Sequence, residues 1–556
     1  MSTLTVVTGS KARLQREPEA AASAPAIDYV SPLPPVRSGI SDYSVDLLPH
    51  LAALCDVRLV RLPEQPVDRK VEQRYTVVAP DRLGEGGRVP LYQMGNNLYH
   101  EAVGELAWRR PGILTLHDLV LHHLLLGRTL GRGHFEPYRR ELTEEYGWIG
   151  WEVARPLAWG GYSEAPQFGL PAHRGLLRTQ RGVLVHSRWA AEQIAFEAPE
   201  VTVRVVPMGV PLPERATIAE GEAFRRRLRI PLDVPVLGSL GFQTPMKRTP
   251  QIIRALARPA LAAAHLIVAG EVSEYLDLAT PVREAGVGDR VHITGFLPYE
   301  EFHAAVAACD VCFNLRYPTA GETSASLLRI LAVGRPVLVS DFAQFSDLPD
   351  TAVSKVGLGD GEVEELAASA ARLLADPAGR QRMAEAARAY VRTEHDPEAA
   401  ARRIVDACRE LAPLPPATDP RLPEAAEPRR PTSLTWSFLG GALEVEEPEL
   451  PWRIGEARTV RARLRNQGLA RWLATRVGPG GVHVRVAFRD GAGERLPRQR
   501  WLRLPRHLDP GEELLLETRI RRPPGAWTLI MEPVVVGNTS FWALGGPVWQ
   551  RVLDGI

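Results

Sequence analysis

Short apolar runs alternate along the chain with longer segments that carry an apolar stripe at helical spacing. The strand-like runs AIDYVSPLP, DVRLVRL, GILTLHD and GVLVHS are interspersed with helix-like segments such as SDYSVDLLPHLAAL and RWAAEQIAF. After VRVVPMGVPLP the alternation restarts, with VLGSLGF, HLIVAG, VHITGF, DVCFNL and PVLVSD as strands. Such alternation is typical of parallel sheets with helices on both faces. We therefore expect two doubly wound α/β domains, at residues 26–210 and 211–410.

The pattern changes on both sides of this region. Residues 1–25 are polar and rich in alanine and proline, which predicts a mobile N-terminal tail. Residues 411–432 combine proline, alanine and charge, as a semi-rigid linker does. Beyond them VHVRVAFRD alternates apolar and polar positions, and DGAGE, DPGEE and PPGAW supply turn signals. Residues 433–556 are therefore expected to form an antiparallel β-sandwich.

Composition narrows the class of partner. The 556-residue chain has 67 lysines and arginines against 66 acidic residues, a net charge of +1. That balance gives no reason to expect nucleic acid or an anionic membrane as a partner. No apolar segment resembles a signal peptide or approaches the roughly 18 residues of a membrane span, and the few scattered cysteines imply no disulfide framework. The expected location is the cytoplasm.

The loops that follow strands are the candidate sites, because ligands of doubly wound domains bind beyond the carboxyl ends of the strands. In the first domain Gly39 lies just ahead of a helix, where a backbone can approach an anion closely, although an ordinary glycine turn would look the same. His117 falls at the end of the strand GILTLHD and is a candidate contact to a polar ligand. His122 and His123 lie farther into the following helix and are expected to be partly buried there.

Two loops of the second domain carry further candidate chemistry. Lys247 and Arg248 immediately precede a helix, an arrangement suited to a diphosphate, although most basic pairs are simply solvated. In the segment GETS, residues 321–324, small and hydroxylated residues surround Glu322 at the mouth of a helix. A carboxylate there could accept hydrogen bonds from sugar hydroxyls. The alternative is a purely structural interaction with the helix dipole, worth about 0.3–1 kcal/mol.

These loops together predict a cleft between the two domains. One wall offers Gly39 and His117, and the other offers a basic pair and a carboxylate, a combination that a nucleotide-sugar fits. The chain has no G-x-G-x-x-G at its first strand-to-helix turn, no P-loop and no nucleophile elbow. These absences argue against a dinucleotide oxidoreductase, a nucleoside triphosphatase and a hydrolase.

Several motifs occur in a specific order and spacing: PLPPVRSGISDYS, YQMGNNLYH, LHDLVLHHL, VHSRWAAEQI, VVPMGV, GFQTPMKR, ITGFLPYEEF and GETSASLLRILAVGRPVLVSD. In that order, residues 26–410 resemble the family 4 glycosyltransferases of the GT-B fold. The resemblance implies two Rossmann-like domains that face a cleft. It also implies retaining transfer of a sugar from a nucleoside-diphosphate-sugar, without a metal ion or other cofactor. The donor would lie mainly on the second domain and the acceptor mainly on the first.

The resemblance implies roles for individual residues. Gly39 matches the glycine loop near the diphosphate, His117 the histidine that contacts the donor sugar, and Lys247 the lysine that binds the diphosphate. Glu322 matches the first carboxylate of a paired-glutamate motif that holds the sugar. His117, Lys247 and Glu322 are therefore the predicted catalytic residues. The predicted donor-binding residues are Gly39, Arg248, Phe296, Leu297, Gly321, Thr323 and Ser324, of which Phe296 and Leu297 would hold the nucleobase through their backbone.

The chain departs from the family pattern at two positions. Phe242 stands where the family has an arginine five residues before its lysine, and Arg248 is a candidate to replace that charge. Arg329 stands where the second carboxylate, which normally contacts the ribose, would lie. Counting by the same spacing places the first carboxylate on Gly321, so Glu322 matches it only with a shift of one residue.

The predicted function is sugar transfer to a glycan, lipid-linked or small-molecule acceptor in polysaccharide or glycoconjugate biosynthesis. A lipid-linked acceptor would bring the protein into peripheral contact with a membrane. The departures at Phe242 and Arg329 leave open an alternative, a non-catalytic GT-B protein that binds glycan or scaffolds a synthesis complex. An isomerase or a phosphorylase on the same fold is a weaker alternative. The CxxC spacing of Cys309 and Cys312 has no second Cys or His pair nearby, so no metal site is expected.

Tryptophan is abundant in the C-terminal region. Residues 433–556 hold 18 arginines, 13 acidic residues and no lysine. The tryptophans there are Trp436, Trp452, Trp472, Trp501, Trp527, Trp542 and Trp549. Aromatic rings on a sandwich could stack on sugars, which would make this region a glycan-binding module. The alternative is that they fill a core and an interface with the catalytic domains.

Overall fold

The chain forms two domains built on parallel sheets, followed by a region of antiparallel sheets. The computed structural model describes residues 25–159, 165–212, 218–417, 432–433, 439–446, 451–474, 481–496, 499–536, 539–541 and 546–553. The predicted N-terminal tail lies outside the described residues except for its last position, and most of the predicted linker lies outside them as well.

The first domain contains a seven-stranded sheet in which every strand pair is parallel. Its strands are β1 (Ile27–Val30), β2 (Val57–Val60), β3 (Thr76–Val78), β4 (Val89–Met94), β5 (Ile113–Leu116), β6 (Gly182–Val185) and β7 (Val203–Val205). They lie in the order β3-β2-β1-β4-β5-β6-β7. The strands β1, β5 and β6 are fully buried, which explains why they are near-continuous apolar runs in the sequence.

Nine helices are described around this sheet. They are α1 (Gly39–Ala52), α2 (Arg69–Arg74), α3 (Glu101–Arg109), α4 (His122–Arg128), α5 (Phe135–Tyr146), α6 (Trp148–Ala154), α7 (Ala165–Gly169), α8 (Arg174–Arg178) and α9 (Arg188–Glu197). Five of them, α4 to α8, lie between β5 and β6. A small cluster around Leu125, Tyr138 and Leu142 gives this helical insertion a core of its own.

The second domain contains a six-stranded parallel sheet. Its strands are β8 (Val236–Leu240), β9 (His265–Ala269), β10 (Val291–Gly295), β11 (Val311–Asn314), β12 (Val337–Ser340) and β13 (Ser354–Val356). They lie in the order β10-β9-β8-β11-β12-β13. This is the doubly wound order, and its switch point lies between β8 and β11, where ligands of such sheets bind.

The helices that follow the first domain are α10 (Ile218–Arg227), α11 (Thr249–Leu256), α12 (Ala279–Ala285), α13 (Tyr299–Ala308), α14 (Ala325–Val333), α15 (Glu362–Ala375), α16 (Pro377–Glu394) and α17 (Pro397–Leu411). The last of them crosses back and packs on the first domain. An ideal Cβ on Gly182 would lie 2.7 Å from the side chain of Leu411, and the Arg181 guanidinium donates to the Ala412 carbonyl oxygen at 2.6 Å. The end of the predicted second domain therefore holds the two domains together.

The C-terminal region forms two antiparallel sheets. Its strands are β14 (Gly441–Val445), β15 (Ala457–Asn466), β16 (Val482–Arg489), β17 (Arg500–Arg503), β18 (Glu513–Arg521), β19 (Thr528–Val535), β20 (Thr539–Ser540) and β21 (Trp549–Val552). One sheet has the order β14-β15-β18, and the other has the order β17-β16-β19-β20, with β21 also pairing with β19. Both sheets contribute to one core, which includes Val460, Val484 and Met531. The predicted fold class is therefore confirmed.

The tryptophans of this region have two environments. Trp452 and Trp472 are fully buried in the core, as the structural alternative predicted. Trp501 and Trp527 are nearly half exposed. Trp436 and Trp542 lie outside the described residues. Only some of these rings are therefore accounted for by the core.

Among the helices of the described segments, none combines the length and the apolar character needed to cross a lipid bilayer. In the same segments no three His, Cys, Asp or Glu side chains gather as a metal-binding group. Cys309 and Cys312 are buried free thiols, and an ideal Cβ on Gly238 would lie 2.4 Å from the Cys309 sulfur. The CxxC pair is therefore packed into the sheet.

Candidate active site

The glycine loop after β1 forms part of one wall of the cleft. Gly39 is the first residue of α1, and the Ser38 hydroxyl caps this helix by accepting a hydrogen bond from the Ser41 N–H at 3.1 Å. Apart from its chain neighbours and the backbone of its own helix, a Cβ atom on Gly39 would meet no described atom within 4 Å. The loop therefore leaves open space beside a helix N-terminus, where the dipole favours negative charge.

His117 lies directly after β5 and is buried, with both ring nitrogens engaged inside the chain. Its Nε2 is 2.9 Å from Oε1 of Gln93, and its Nδ1 is 3.1 Å from Nε2 of His186. Nδ1 of His186 donates to the Val206 carbonyl oxygen at 2.8 Å. Burial lowers the pKa of both rings, that of His186 to about 4. For His117 to contact a sugar as predicted, the sugar must replace Gln93 or His186 as a hydrogen-bond partner.

His122 and His123 open α4 but have different surroundings. His122 contacts a carbonyl oxygen and a tyrosine hydroxyl, each at 2.8 Å, so it is a core residue as expected. Nδ1 of His123 is buried and has no hydrogen-bond partner among the described residues, while its ring packs against Phe168 at 4.8 Å between centroids. Burial lowers the pKa of His123, and the nearby Glu322 opposes that shift. His123 is therefore a further candidate for contact with a ligand, although its position in the sequence did not indicate this.

Lys247 ends a short 3₁₀ turn after β8 and is buried beneath the loop that this strand enters. Its ammonium group donates to the Leu240 carbonyl oxygen at 2.6 Å. Burial lowers the pKa of Lys247 well below its ordinary value; the Arg316 charge adds to this shift, and the Glu322 charge opposes it. The predicted diphosphate-binding lysine therefore lies close to both an arginine and the predicted sugar-binding carboxylate.

Arg248 is engaged on the opposite side of this turn. Its guanidinium forms a two-pronged ion pair with the buried carboxylate of Glu362, with Nε 2.6 Å from Oε1. It also lies 5.5 Å from the centroid of the Tyr317 ring. A contact from Arg248 to a diphosphate, as predicted, would require this pair to open. Phe242 is more than half exposed and brings no charge to the loop.

Glu322 precedes α14 and is held by three donors. Arg316 Nε donates to Oε1 at 2.9 Å, while the Thr319 hydroxyl and a backbone N–H donate to Oε2 at 2.9 and 3.1 Å. Ser324 caps α14, and Thr323 beside it is partly exposed. Because these donors fix the carboxylate and leave its side chain 24% exposed, the group is positioned to accept further hydrogen bonds from a ligand.

The two domains touch next to this carboxylate. The Val120 N–H donates to the Ala320 carbonyl oxygen at 2.9 Å. Gly321 has a φ of +78°, and a Cβ there would lie 2.6 Å from Cβ of Leu119 and 3.0 Å from the Trp189 ring. Only glycine tolerates both this backbone conformation and this approach. The predicted donor-binding position Gly321 is therefore also an interdomain contact.

Asp118 approaches the same carboxylate from the first domain. It is partly buried, and its Oδ2 accepts a hydrogen bond from the Asn96 N–H at 3.0 Å. Burial, reinforced by the negative charge of Glu322, raises the pKa of Asp118 to about 7. The cleft therefore holds a carboxyl group that binds a proton near neutral pH.

Replacing Asp118 with asparagine is expected to change how stability depends on pH. A carboxyl whose pKa rises from about 3.9 in the unfolded chain to about 7 when folded binds more protons in the folded state, so stability falls as pH rises through that window. Asp118→Asn lacks this fall, so its Tm relative to wild type should rise from about pH 4 to about pH 7. Circular dichroism melts measure this difference. Exposed Asp233→Asn is the control, and parallel profiles for Asp118→Asn and wild type would contradict the assignment.

The loop after β10 lies at the same cleft. Phe296 is 64% exposed, and Leu297 packs partly against the core. The Arg37 guanidinium, from the glycine loop of the first domain, lies 5.8 Å from the centroid of the Phe296 ring, within cation–π range. Arg37 of the first domain therefore contacts the predicted nucleobase segment across the cleft. The contact of that segment with a base stays a prediction.

Arg329 extends from α14 across the cleft towards α1. Its Nη2 lies 3.9 Å from Oδ2 of Asp46. Burial raises the pKa of Asp46 to about 6, while the Arg329 charge opposes the shift and Asp42 reinforces it. The position where the resemblance implies a ribose-binding carboxylate therefore carries a cation that faces two carboxylates of the other domain.

Two of the groups that shape this site were not predicted as site residues. Arg316 orients Glu322, and Asp118 approaches it from the opposite domain. Each lies two residues after a strand end, β11 and β5 respectively. Such positions carry ligand-facing groups in doubly wound domains, so location alone was a usable signal.

This fold, in which two Rossmann-like domains face a cleft, is GT-B. Sucrose-phosphate synthase from Thermosynechococcus elongatus matches the structure with a TM-score of 0.51 at 18% identity, over 70% of this chain and 99% of that one. HepE from Anabaena, solved in complex with UDP and glucose, matches with a TM-score of 0.50 at 16% identity, over 69% and 100%. At such low identities these likenesses establish the fold.

Part of the sequence is similar to known glycosyltransferases. Residues 220–390 match the family model of the glycosyl transferases group 1. The 2-deoxystreptamine glucosyltransferase of Streptomyces kanamyceticus is 31% identical over 213 residues, which are 37% of this chain and 54% of that protein. The alpha-D-kanosaminyltransferase of the same organism is 25% identical over 246 residues, 43% and 63% respectively. The chain thus spans less than two thirds of the length of these relatives, and over that part it is similar to glycosyltransferases.

Proposed function

We propose that the protein is a retaining glycosyltransferase. It moves a sugar from a nucleoside-diphosphate-sugar to a glycan, a lipid-linked molecule or a small molecule, in polysaccharide or glycoconjugate biosynthesis. The observation that carries this proposal is the grouping of Lys247, Arg316 and Glu322 at one helix mouth, next to the interdomain contact. The two cations suit a diphosphate, and the carboxylate suits sugar hydroxyls. The group as a whole therefore suits a ligand in which a diphosphate is joined to a sugar.

In the proposed complex each group has one task. Lys247 and Arg316 meet the negative charge of the diphosphate, and Glu322 accepts hydrogen bonds from hydroxyls of the donor sugar. The space beside Gly39 admits the diphosphate from the opposite wall. HepE, which shares the fold, was solved with UDP and glucose, and this supports a nucleotide-sugar as the donor.

The reaction breaks the bond between the anomeric carbon and the diphosphate oxygen and forms a bond from that carbon to the acceptor oxygen on the same face. The acceptor proton passes to the leaving phosphate oxygen. Positive charge develops on the sugar and negative charge on the leaving group, and the two cations stabilise the latter. Protein groups, rather than a metal or another cofactor, neutralise the negative charge of the leaving diphosphate. Closure of the cleft excludes water, which would hydrolyse the donor.

A second candidate is a non-catalytic GT-B protein that binds glycan or acts as a scaffold. Two observations favour it: both ring nitrogens of His117 are engaged within the chain, and Arg248 is committed to Glu362. A protein of this kind would bind a nucleotide-sugar or a glycan without turning the donor over.

Release of nucleoside diphosphate separates the two candidates. The full chain is incubated with UDP-glucose, UDP-N-acetylglucosamine or GDP-mannose, with and without sugar acceptors, and the products are separated by chromatography. Release above the level of heat-denatured protein supports an enzyme, and the coupling constant of the anomeric proton in the product identifies retention. Binding of a donor without any release would favour the scaffold, and an inverted product would exclude the retaining mechanism.

A further inference from the structure

A second cavity lies between the second domain and the C-terminal sheets, away from the interdomain cleft. Its volume is about 940 Å³, at the upper end of the range of ligand clefts. Helix α15 and the loop before it line one side, while β16, β17 and the turn at residues 492–495 line the other. We call this cavity the sandwich groove.

Strand register builds the wall of the sandwich groove that belongs to the C-terminal sheets. Arg485 pairs with Trp501 on one side and with Glu532 on the other, so the three side chains form one row across the sheet. His483 and Arg503 form the next row. Because alternate residues of a strand share a face, these rows lie on the face of β16 opposite to its core positions.

Guanidinium groups outnumber carboxylates on this wall. Arg485 and Arg495 both donate to Oε1 of Glu532, which is 1% exposed, while its Oε2 has no hydrogen-bond partner among the described residues. Nε of Arg489 is also buried without such a partner in the described part of the chain. Arg503 adds a fourth guanidinium and is exposed. Among the described residues of this wall, four guanidiniums stand against two carboxylates, the buried Glu532 and the exposed Glu494. The wall therefore favours an anion.

The acidic residues of the opposite wall are largely engaged elsewhere. Glu362 is paired with Arg248, and Glu364 lies 2.5 Å from Arg258. Glu365 accepts a hydrogen bond from a backbone N–H. The exposed Arg372 lines the sandwich groove from this side. Burial lowers the pKa of Arg495, and the charge of Glu365 on the opposite wall opposes that shift. The wall of the second domain therefore offsets only part of the charge of the arginines that face it.

Trp501 supplies a different kind of surface. Its side chain is 45% exposed, and the Arg485 guanidinium lies 5.9 Å from its ring centroid. An exposed indole in a cleft offers a flat apolar face, onto which the C–H face of a sugar ring can stack. Asp341 and Glu494 also line the sandwich groove and can accept hydrogen bonds from hydroxyl groups.

We propose that the sandwich groove binds an oligosaccharide that carries carboxylate or phosphate groups. The indole would stack on a sugar ring, the guanidiniums would form charge-assisted hydrogen bonds with the anionic groups, and the remaining carboxylates would accept hydrogen bonds from hydroxyls. The inference does not require catalysis, because the residues proposed to bind the donor, Lys247, Arg316 and Glu322, do not line the sandwich groove. A nucleic acid is a poorer fit, because the chain as a whole carries a net charge of only +1.

Calorimetric binding to the full chain tests this proposal. The probe is tetragalacturonate, compared with uncharged maltotetraose, inorganic phosphate and a short single-stranded DNA. We expect tetragalacturonate to bind in preference to the other three. Trp501→Ala, Arg503→Ala and Arg372→Ala should each weaken its binding by about tenfold, as expected for loss of one stacking or charge-assisted contact. All three side chains are at least partly exposed, so the variants should fold.

Matched controls lie elsewhere in the same region. Trp527 is 48% exposed and Arg519 is exposed on β18, and neither lines the sandwich groove, so Trp527→Ala and Arg519→Ala should bind the tetrasaccharide as wild type does. Absence of tetragalacturonate binding at millimolar concentration would overturn the proposal. Equal binding of the DNA or of phosphate would also overturn it, because it would indicate a general anion site. Loss of binding in the control variants would place the site elsewhere.

Discussion

Replacing Lys247 with methionine is expected to lower kcat by about a hundredfold or more while leaving Tm unchanged or higher. The ammonium group is the buried cation beside Glu322 and Arg316, and removing it withdraws charge from the leaving diphosphate. Methionine keeps most of the length and volume of the lysine stem. Burial already lowers the pKa of Lys247, so the folded protein loses little by giving up this charge. Turnover of an accepted donor and a thermal melt measure the two effects.

A surface variant separates this effect from a general change in charge. The side chain of Lys70 is exposed, and its backbone N–H donates to the Asp68 carboxylate. Lys70→Met should therefore keep the wild-type rate. Lys247→Ala should lose activity to the same extent but should also lower Tm, because it leaves a cavity under the loop. A rate for Lys247→Met within about threefold of wild type, a change of less than 1 kcal/mol in barrier, would remove Lys247 from the mechanism.

The interdomain site follows from a property of the fold that the sequence reveals directly. Alternating strands and helices predict parallel sheets, and parallel sheets place all the loops that follow strands at one edge. The loop of His117 and the loop of Glu322 both follow strands, so the sequence predicts that they face one cleft. The structure confirms the two doubly wound domains and places Asp118, beside His117, close to Glu322.

The partners of individual charged groups were not predictable in the same way. Arg248 and Glu362 are 114 positions apart in the chain, and neither the basic pair nor the helix start of α15 indicates that they meet. Lys247 was expected as a cation beside a helix, yet it is buried because Gly241 has no side chain. A Cβ there would lie 2.7 Å from Nζ of Lys247. Such pairings depend on loop paths that local patterns do not encode.

The helical insertion and the last helix show a second limit. The helices α4 to α8 interrupt the expected alternation, because the crossover from β5 to β6 carries a small core of its own. Helix α17 belongs to the second domain by order in the chain but packs on the first. Periodicity predicts that a helix has an apolar face. It does not indicate which domain covers that face.

Replacing Arg248 with alanine is expected to lower the free energy of unfolding by about 3 kcal/mol. The substitution leaves the Glu362 carboxylate, whose side chain is 2% exposed, without its cation. Removing one member of a buried ion pair is costly because the remaining charge is still desolvated. Alanine retains a Cβ at this left-handed residue, which has a φ of 56°, so no backbone strain is added. Urea unfolding followed by circular dichroism measures the change.

Arg258, just after α11, pairs with Glu364 of the same helix α15 and provides a matched control. The side chains of this pair are 46% and 60% exposed, so Arg258→Ala should cost less than about 1 kcal/mol. The double variant Arg248→Ala/Glu362→Ala should lose less stability than the sum of its single variants, because it leaves no unpaired buried charge. If Arg248→Ala instead kept its stability and raised KM for the donor about tenfold, the arginine would serve the diphosphate rather than Glu362. The two roles thus predict opposite results from one variant, since a guanidinium committed to Glu362 cannot also hold the donor without opening that pair.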